Sequence, residues 1–134
     1  MNCQTNYVIY LIHDKICDKG YVGRTENNLC TRWASHKSHI KTNFGSCKVA
    51  VHFNELGTKH CWEKENIDVT LVAELSITII DKVKPEVWDT PDSLFLKLCK
   101  KEIYWQDRLR VMEEFGGLND REERRMTQKR HSKR

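Results

Sequence analysis

Residues 6–12, Asn-Tyr-Val-Ile-Tyr-Leu-Ile, are a continuous aromatic and β-branched run, the pattern of a buried strand. Residues 13–19 are polar and turn-like, and Gly20-Tyr-Val-Gly23 reads as a second, short strand. Its glycines permit close approach of a backbone or ligand. Two short strands joined by a polar loop predict a hairpin, which places Tyr10 and Tyr21 on one small surface. Leu29, Trp33, His36 and Ile40 then recur at helical spacing. They predict a helix from about Glu26 to Ile40, with Thr25 as its N-cap and Asn28 three residues on. Arg32 and His36 stand four apart and share one face of it. After a loop at 43–46, Val49, Val51, Phe53 and Leu56 suggest a shorter helix ended by Gly57.

Ile67, Val69, Leu71 and Ala73 alternate with other side chains up to Leu75, predicting a strand with one face in the core. Residues 76–80 prolong it or form a bulged continuation, and 81–91, with Pro85 and Pro91, read as an excursion. Thr90-Pro91-Asp92 is a helix start: an N-cap, a proline at the first helical position and an acid in the first turn. The helix is expected to run to Glu114, with Leu94, Leu98, Ile103, Trp105, Leu109 and Met112 as its core stripe. Gly116 and Gly117 stop it. The expected architecture is α/β (α+β): a small, mainly antiparallel, three-stranded sheet flanked by helices. Residues 1–120 form one domain, and 121–134 form a basic tail, either ragged helix or disordered.

The balance of 39% apolar and 31% charged residues over 134 suits one soluble domain with a modest core. No run nears the ~18 apolar residues of a membrane span. The N-terminus lacks the basic-then-apolar pattern of a signal peptide, so an intracellular protein is expected, nuclear if eukaryotic. Charge is unevenly spread. Residues 1–60 hold 8 Lys/Arg against 4 Asp/Glu, residues 61–120 hold 8 against 13, and the tail holds 7 against 2. A basic first half and a basic tail are the electrostatic footprint of a nucleic-acid binder. The six cysteines form no CxxC pair, and most read as buried thiols. A zinc site drawn from His36, His39, His60 and Cys61 is the sharper alternative.

Five short motifs in order resemble the GIY-YIG nuclease family over about Asn6 to Asp120. They are Val8-Ile9-Tyr10, with Val for the leading Gly, and Tyr21-Val22-Gly23. Thr31-Arg32-Trp33-Ala34-Ser35-His36 follows, then Leu98-Cys-Lys-Lys-Glu102-Ile-Tyr-Trp105 and Gly117-Leu118-Asn119. Residues 49–54 are similar to the form found in Penelope-like retroelements, where the domain accompanies a reverse transcriptase; that variant implies cooperation with, or fusion to, a polymerase outside these residues.

The resemblance implies a Mg²⁺-dependent DNA endonuclease, with Mn²⁺ as an alternative metal. Tyr10 would be the base, partnered by His36. Tyr21 would position the water or the phosphate, Arg32 would bind the phosphate, Glu102 would hold the metal, and Asn119 would support the site. The chemistry is coherent: phosphodiester hydrolysis needs a water, a base, charge stabilisation and help for the leaving oxygen. Arginine's planar fork fits phosphate oxygens, and a carboxylate with several waters suits Mg²⁺. Arg24, Lys37, Lys41 and Lys48, with Arg124, Arg125, Lys129 and Arg130 of the tail, are candidate DNA contacts, as are Lys15 and Lys19. Each site residue has a plainer role open to it. Tyr10 can be core packing, Glu102 a surface partner for lysine, and Asn119 a turn residue. A non-catalytic nucleic-acid-binding module on the same fold is the competing function, beside the zinc-stabilised interaction domain.

Overall fold

A computed structural model describes residues 5–15, 17–42, 49, 52, 75–112 and 117–119. Three strands and two helices are described: β1 (Val8–Asp14), β2 (Lys19–Thr25), α1 (Leu29–Thr42), β3 (Leu75–Lys82) and α2 (Pro91–Arg108). The sheet order is β2-β1-β3, and both pairings are antiparallel. This is the small antiparallel sheet flanked by helices that the hydrophobic pattern predicts.

The alternation of β1 divides the core in two. Val8, Tyr10 and Ile12 face one side, where Leu29 and Ile40 of α1 pack with Leu75. Ile9 faces the other, with Val22, Val83, Leu94, Leu98 and Val111. Ile9, Tyr10, Ile12, Ile40 and Leu98 are wholly buried, and each large apolar side chain so removed from water contributes about 1.5–3 kcal/mol. A sheet covered on both faces is why residues 8–12 read as a continuous apolar run.

Several boundaries differ from the sequence reading. Thr25 ends β2 instead of capping a helix, and its Oγ1 accepts from the Asn27 N–H. Asn28 is the cap: its Oδ1 accepts from the Thr31 N–H at 2.9 Å, so α1 starts three residues later than expected. β2 extends two residues past Gly23, and β1 runs to Asp14, so the turn between them is shorter. The third strand is Leu75–Lys82, the segment expected only as a continuation; it takes in Asp81 and Lys82 of the expected excursion. A register shift opposite Ile9 and Tyr10 marks the bulge. The alternating residues 67–74 and, apart from 49 and 52, the second helix lie outside the described residues, as does the tail.

α2 begins as expected. Thr90 accepts from the Ser93 N–H, Ser93 Oγ accepts from the Thr90 N–H, and Pro91 stands in the first turn. It ends at Arg108, not Glu114: Arg110 takes a positive φ of 52°, and the chain turns so that Val111 packs on the sheet. The core stripe is also different. Leu94, Phe95, Leu98, Cys99, Glu102 and Gln106 are buried, while Leu109 is 40% exposed. Asp81 of β3 fastens the helix, accepting from Trp105 Nε1–H at 2.9 Å and Lys101 Nζ at 3.1 Å. Among the described cysteines, Cys17 and Cys99 are thiols and Cys30 is disulfide-bonded, so the thiol reading holds for two of these three.

Candidate active site

The hairpin register sets the site. Tyr10 pairs with Gly23 and Ile12 with Tyr21, so both tyrosines stand on the face that α1 covers. Tyr10 is completely buried, and its ring lies across Gly23, where any Cβ would collide with the phenol. The last glycine of the second tripeptide is thus the space that the tyrosine of the first one occupies.

α1 delivers two partners to that phenol. Arg32 Nε–H donates to the Tyr10 hydroxyl at 3.0 Å, and His36 Nε2 lies 2.8 Å from the same oxygen. With the imidazole proton on Nδ1, the phenol O–H donates to Nε2 while its oxygen accepts from Arg32. The His36 ring also sits edge-on between both tyrosines, with centroids 5.7 Å from Tyr10 and 5.8 Å from Tyr21. Burial, then the charge of Arg32, then His39 push the His36 pKa down to about 3, so the ring is neutral at neutral pH.

This has a measurable consequence for stability. The unfolded chain takes a proton on His36 near the ordinary 6.5, which the folded chain refuses. The stabilisation is therefore complete above about pH 6.5 and is lost as pH falls from there towards 3. The melting temperature should drop on acidification through this window, and less steeply in His36→Gln. Equal slopes for the two proteins would contradict the assignment.

Beside Tyr10, Arg32 and His36 opens a cleft of about 350 Å³, lined by Tyr21, Arg24, Thr25, Glu26, Asn27, Arg32, Phe95 and Glu102. Two sequence-distant elements meet there. Arg24 leaves β2 and donates to Glu102 Oε1 of α2 at 2.7 Å, across 78 residues of chain. Its guanidinium lies 5.3 Å from the centre of the Phe95 ring. Burial is the largest single influence and opposes the Arg24 charge, but the pulls of Glu102, Cys99 and Tyr21 together outweigh it, and its pKa is raised. Arg24, expected as a DNA contact, is therefore an internal partner of the candidate metal ligand. Glu102 is no surface residue: it is 8% exposed and continues the buried stripe Leu94, Leu98. The i, i+4 spacing 94–98–102 is the signal that placed it on the inner face.

Asn119 acts through β2. Its Oδ1 accepts from the Val22 N–H at 2.7 Å and its Nδ2 donates to the Val22 carbonyl at 2.9 Å. The amide thus imitates a neighbouring strand on the free edge of β2. Leu118 N–H donates to the Gly20 carbonyl, and Asn119 N–H to that of Val111. Gly117 is needed because a side chain there would run into the Val111 backbone. These bonds hold Tyr21 and Arg24 on either side of Val22, and none of them points into the cleft.

Of the other basic candidates, Lys37, Lys41, Lys15 and Lys19 are described, and Lys41 and Lys15 are exposed. Lys48, Arg124, Arg125, Lys129 and Arg130 lie outside the described residues. The zinc alternative loses His36, whose Nε2 is engaged by Tyr10; His60 and Cys61 lie outside the described residues. A family model described as the GIY-YIG catalytic domain matches residues 6–85, more than half of the chain. No curated protein and no solved structure matches it.

Proposed function

The chain belongs to the GIY-YIG family, and from that premise we propose a metal-dependent DNA endonuclease that hydrolyses one phosphodiester bond per encounter. The carrying observation is the convergence of Arg32 and His36 on the phenol oxygen of Tyr10, beside a cleft that also holds Glu102.

In this reading the scissile phosphate enters the cleft and meets Arg32, whose guanidinium then contacts both the phosphate and the Tyr10 oxygen. The phenol accepts the proton of the attacking water as its own passes to His36 Nε2. Arg32 Nε–H stabilises charge developing on that oxygen. With a pKa near 3, His36 stores no proton in the free protein; its neutral Nε2 orients the phenol O–H. A phosphate in the cleft offsets the positive field of Arg32 and makes the ring a better acceptor. Tyr21, at the lip of the cleft, positions the water or the phosphate.

The donor set fits a hard cation: Glu102 is a carboxylate in a polar cleft whose volume is that of about ten waters. Bound there, Mg²⁺ or Mn²⁺ would neutralise charge on the leaving oxygen. Arg24 shares the carboxylate and orients it. Lys37, Lys41 and the basic tail add sequence-independent phosphate contacts, weakened by salt. Residues 1–120 act as the nuclease unit, and the likeness at 49–54 favours a mobile-element origin with a companion polymerase.

A plasmid-nicking assay tests the proposal. Relaxed circles should accumulate with Mg²⁺ and not with a chelator. DNA binding without nicking in Mg²⁺ or Mn²⁺ would favour the non-catalytic module instead. Among the described residues no helix is long and apolar enough to cross a membrane.

A further inference from the structure

The turn end of β1 carries a second polar cluster that the nuclease chemistry does not use. Asp14 is wholly buried and, by strand alternation, faces the same side as Tyr10 and Ile12. A carboxylate in that position needs compensation. Its Oδ1 accepts from the Cys17 backbone N–H at 3.1 Å, and its Oδ2 lies 2.6 Å from Nε2 of His52, itself buried. The Cys17 thiol, outside any disulfide, completes the group. One ligand atom from each of Asp14, Cys17 and His52 lies within 4.8 Å of the others.

We propose that Asp14, Cys17 and His52 hold a Zn²⁺ ion that clamps the hairpin carrying both tyrosines. The ligand chemistry is that of zinc, which takes thiolate at about 2.3 Å, imidazole at about 2.0–2.1 Å and carboxylate at about 2.0–2.2 Å in a tetrahedron. Such bonds separate the ligand atoms by roughly 3.3–3.8 Å, within the 4.8 Å envelope. The imidazole and the carboxylate, 2.6 Å apart, must part by about 1 Å to admit the ion. The Cys17 N–H on Oδ1 fixes the carboxylate so that Oδ2 is the ligating atom, an outer hydrogen bond of the kind that orients metal ligands.

The described residues fill three of the four tetrahedral positions. A thiolate and an imidazole select zinc over Mg²⁺, so this site and the Glu102 cleft take different ions. None of the three residues lines that cleft. Asp14 is four residues along β1 from Tyr10, about 13 Å. The ion would tie the β1–β2 turn to residue 52 and act on the tyrosines only through the strand.

The test uses the full chain, purified without chelator. About one zinc per chain is expected, and Co²⁺ added to stripped protein should give a thiolate-to-cobalt charge-transfer band. Cys17→Ser should abolish that band, and His52→Ala should weaken cobalt binding at least about tenfold. Cys17 lies half-buried in a turn, so its serine variant should still fold. Stripping should then lower the melting temperature of wild type and leave that of Cys17→Ser unchanged. Absence of zinc together with absence of the band would reduce the cluster to a buried hydrogen-bonded pair of Asp14 and His52 and overturn the proposal. So would a band that survives in Cys17→Ser and disappears in Cys61→Ala, or equal destabilisation of both proteins by stripping.

Discussion

Tyr10→Phe should leave a folded protein that nicks DNA about 10²–10⁴-fold more slowly, the range for loss of a positioned acid–base group. The ring is buried against Gly23 and His36, and phenylalanine keeps that packing. Only the hydroxyl goes, and with it the hydrogen bonds to Arg32 Nε–H and His36 Nε2. Leaving those partners unsatisfied costs about 1–3 kcal/mol of stability, so melting has to be measured beside cleavage. A residue that merely packs would lose stability and keep its rate. One that takes the water's proton loses rate at saturating substrate, with DNA affinity little changed. Near-normal nicking by a stably folded Tyr10→Phe would remove Tyr10 from the chemistry.

The second large effect is at Glu102. Glu102→Ala should abolish metal-supported nicking, a fall of roughly 10³-fold or more if several kcal/mol of charge stabilisation are lost. It also strands Arg24, whose guanidinium is mostly buried and, among the described residues, forms its ion pair with this carboxylate. A stability loss of about 1–3 kcal/mol is expected, below the range for a fully buried pair because Arg24 retains some access to water. Glu102→Gln separates the two effects. It keeps an acceptor for Arg24, so it should melt close to wild type, yet it binds a divalent cation poorly. Raising Mn²⁺ should rescue Glu102→Gln in part and Glu102→Ala not at all. Unchanged nicking in Glu102→Ala would sink the metal-assisted mechanism, whatever its stability.

Both variants probe contacts between residues far apart in the chain, and there the sequence was least explicit. The β1 run and the Thr90-Pro91 start were legible because strand burial and helix capping depend on a few neighbouring residues. The competition between Thr25 and Asn28 for the cap was not. Both are good caps, and β2 pairing with β1 out to Thr25 decided it. The end of α2 departs from the expected Glu114 for a related reason. Residues beyond Arg108 keep a helical pattern, but Val111 and the 117–119 segment gain more by packing and bonding along β2.

Glu102 and Arg24 show the same division at the site. The sequence pointed to both residues but gave them separate tasks, Glu102 within a motif for a metal and Arg24 among the basic residues for DNA. Their 2.7 Å ion pair exists only because α2 crosses the sheet face next to β2. Asn119 likewise gained a definite task, as the strand-like partner of Val22, only when the chain closed on the edge of β2.

The sequence by itself determined the hairpin, the presence of α1 and α2, the cap of α2, the two-faced burial of β1 and the identities of the reactive groups. All of these follow from periodicity and side-chain chemistry over a few residues. The tertiary structure decided which groups share atoms: the phenol of Tyr10 with Arg32 and His36, Glu102 with Arg24, and Asp14 with His52. Those pairings depend on register and helix placement, which are fixed by packing across the whole sheet and are not encoded at any one position.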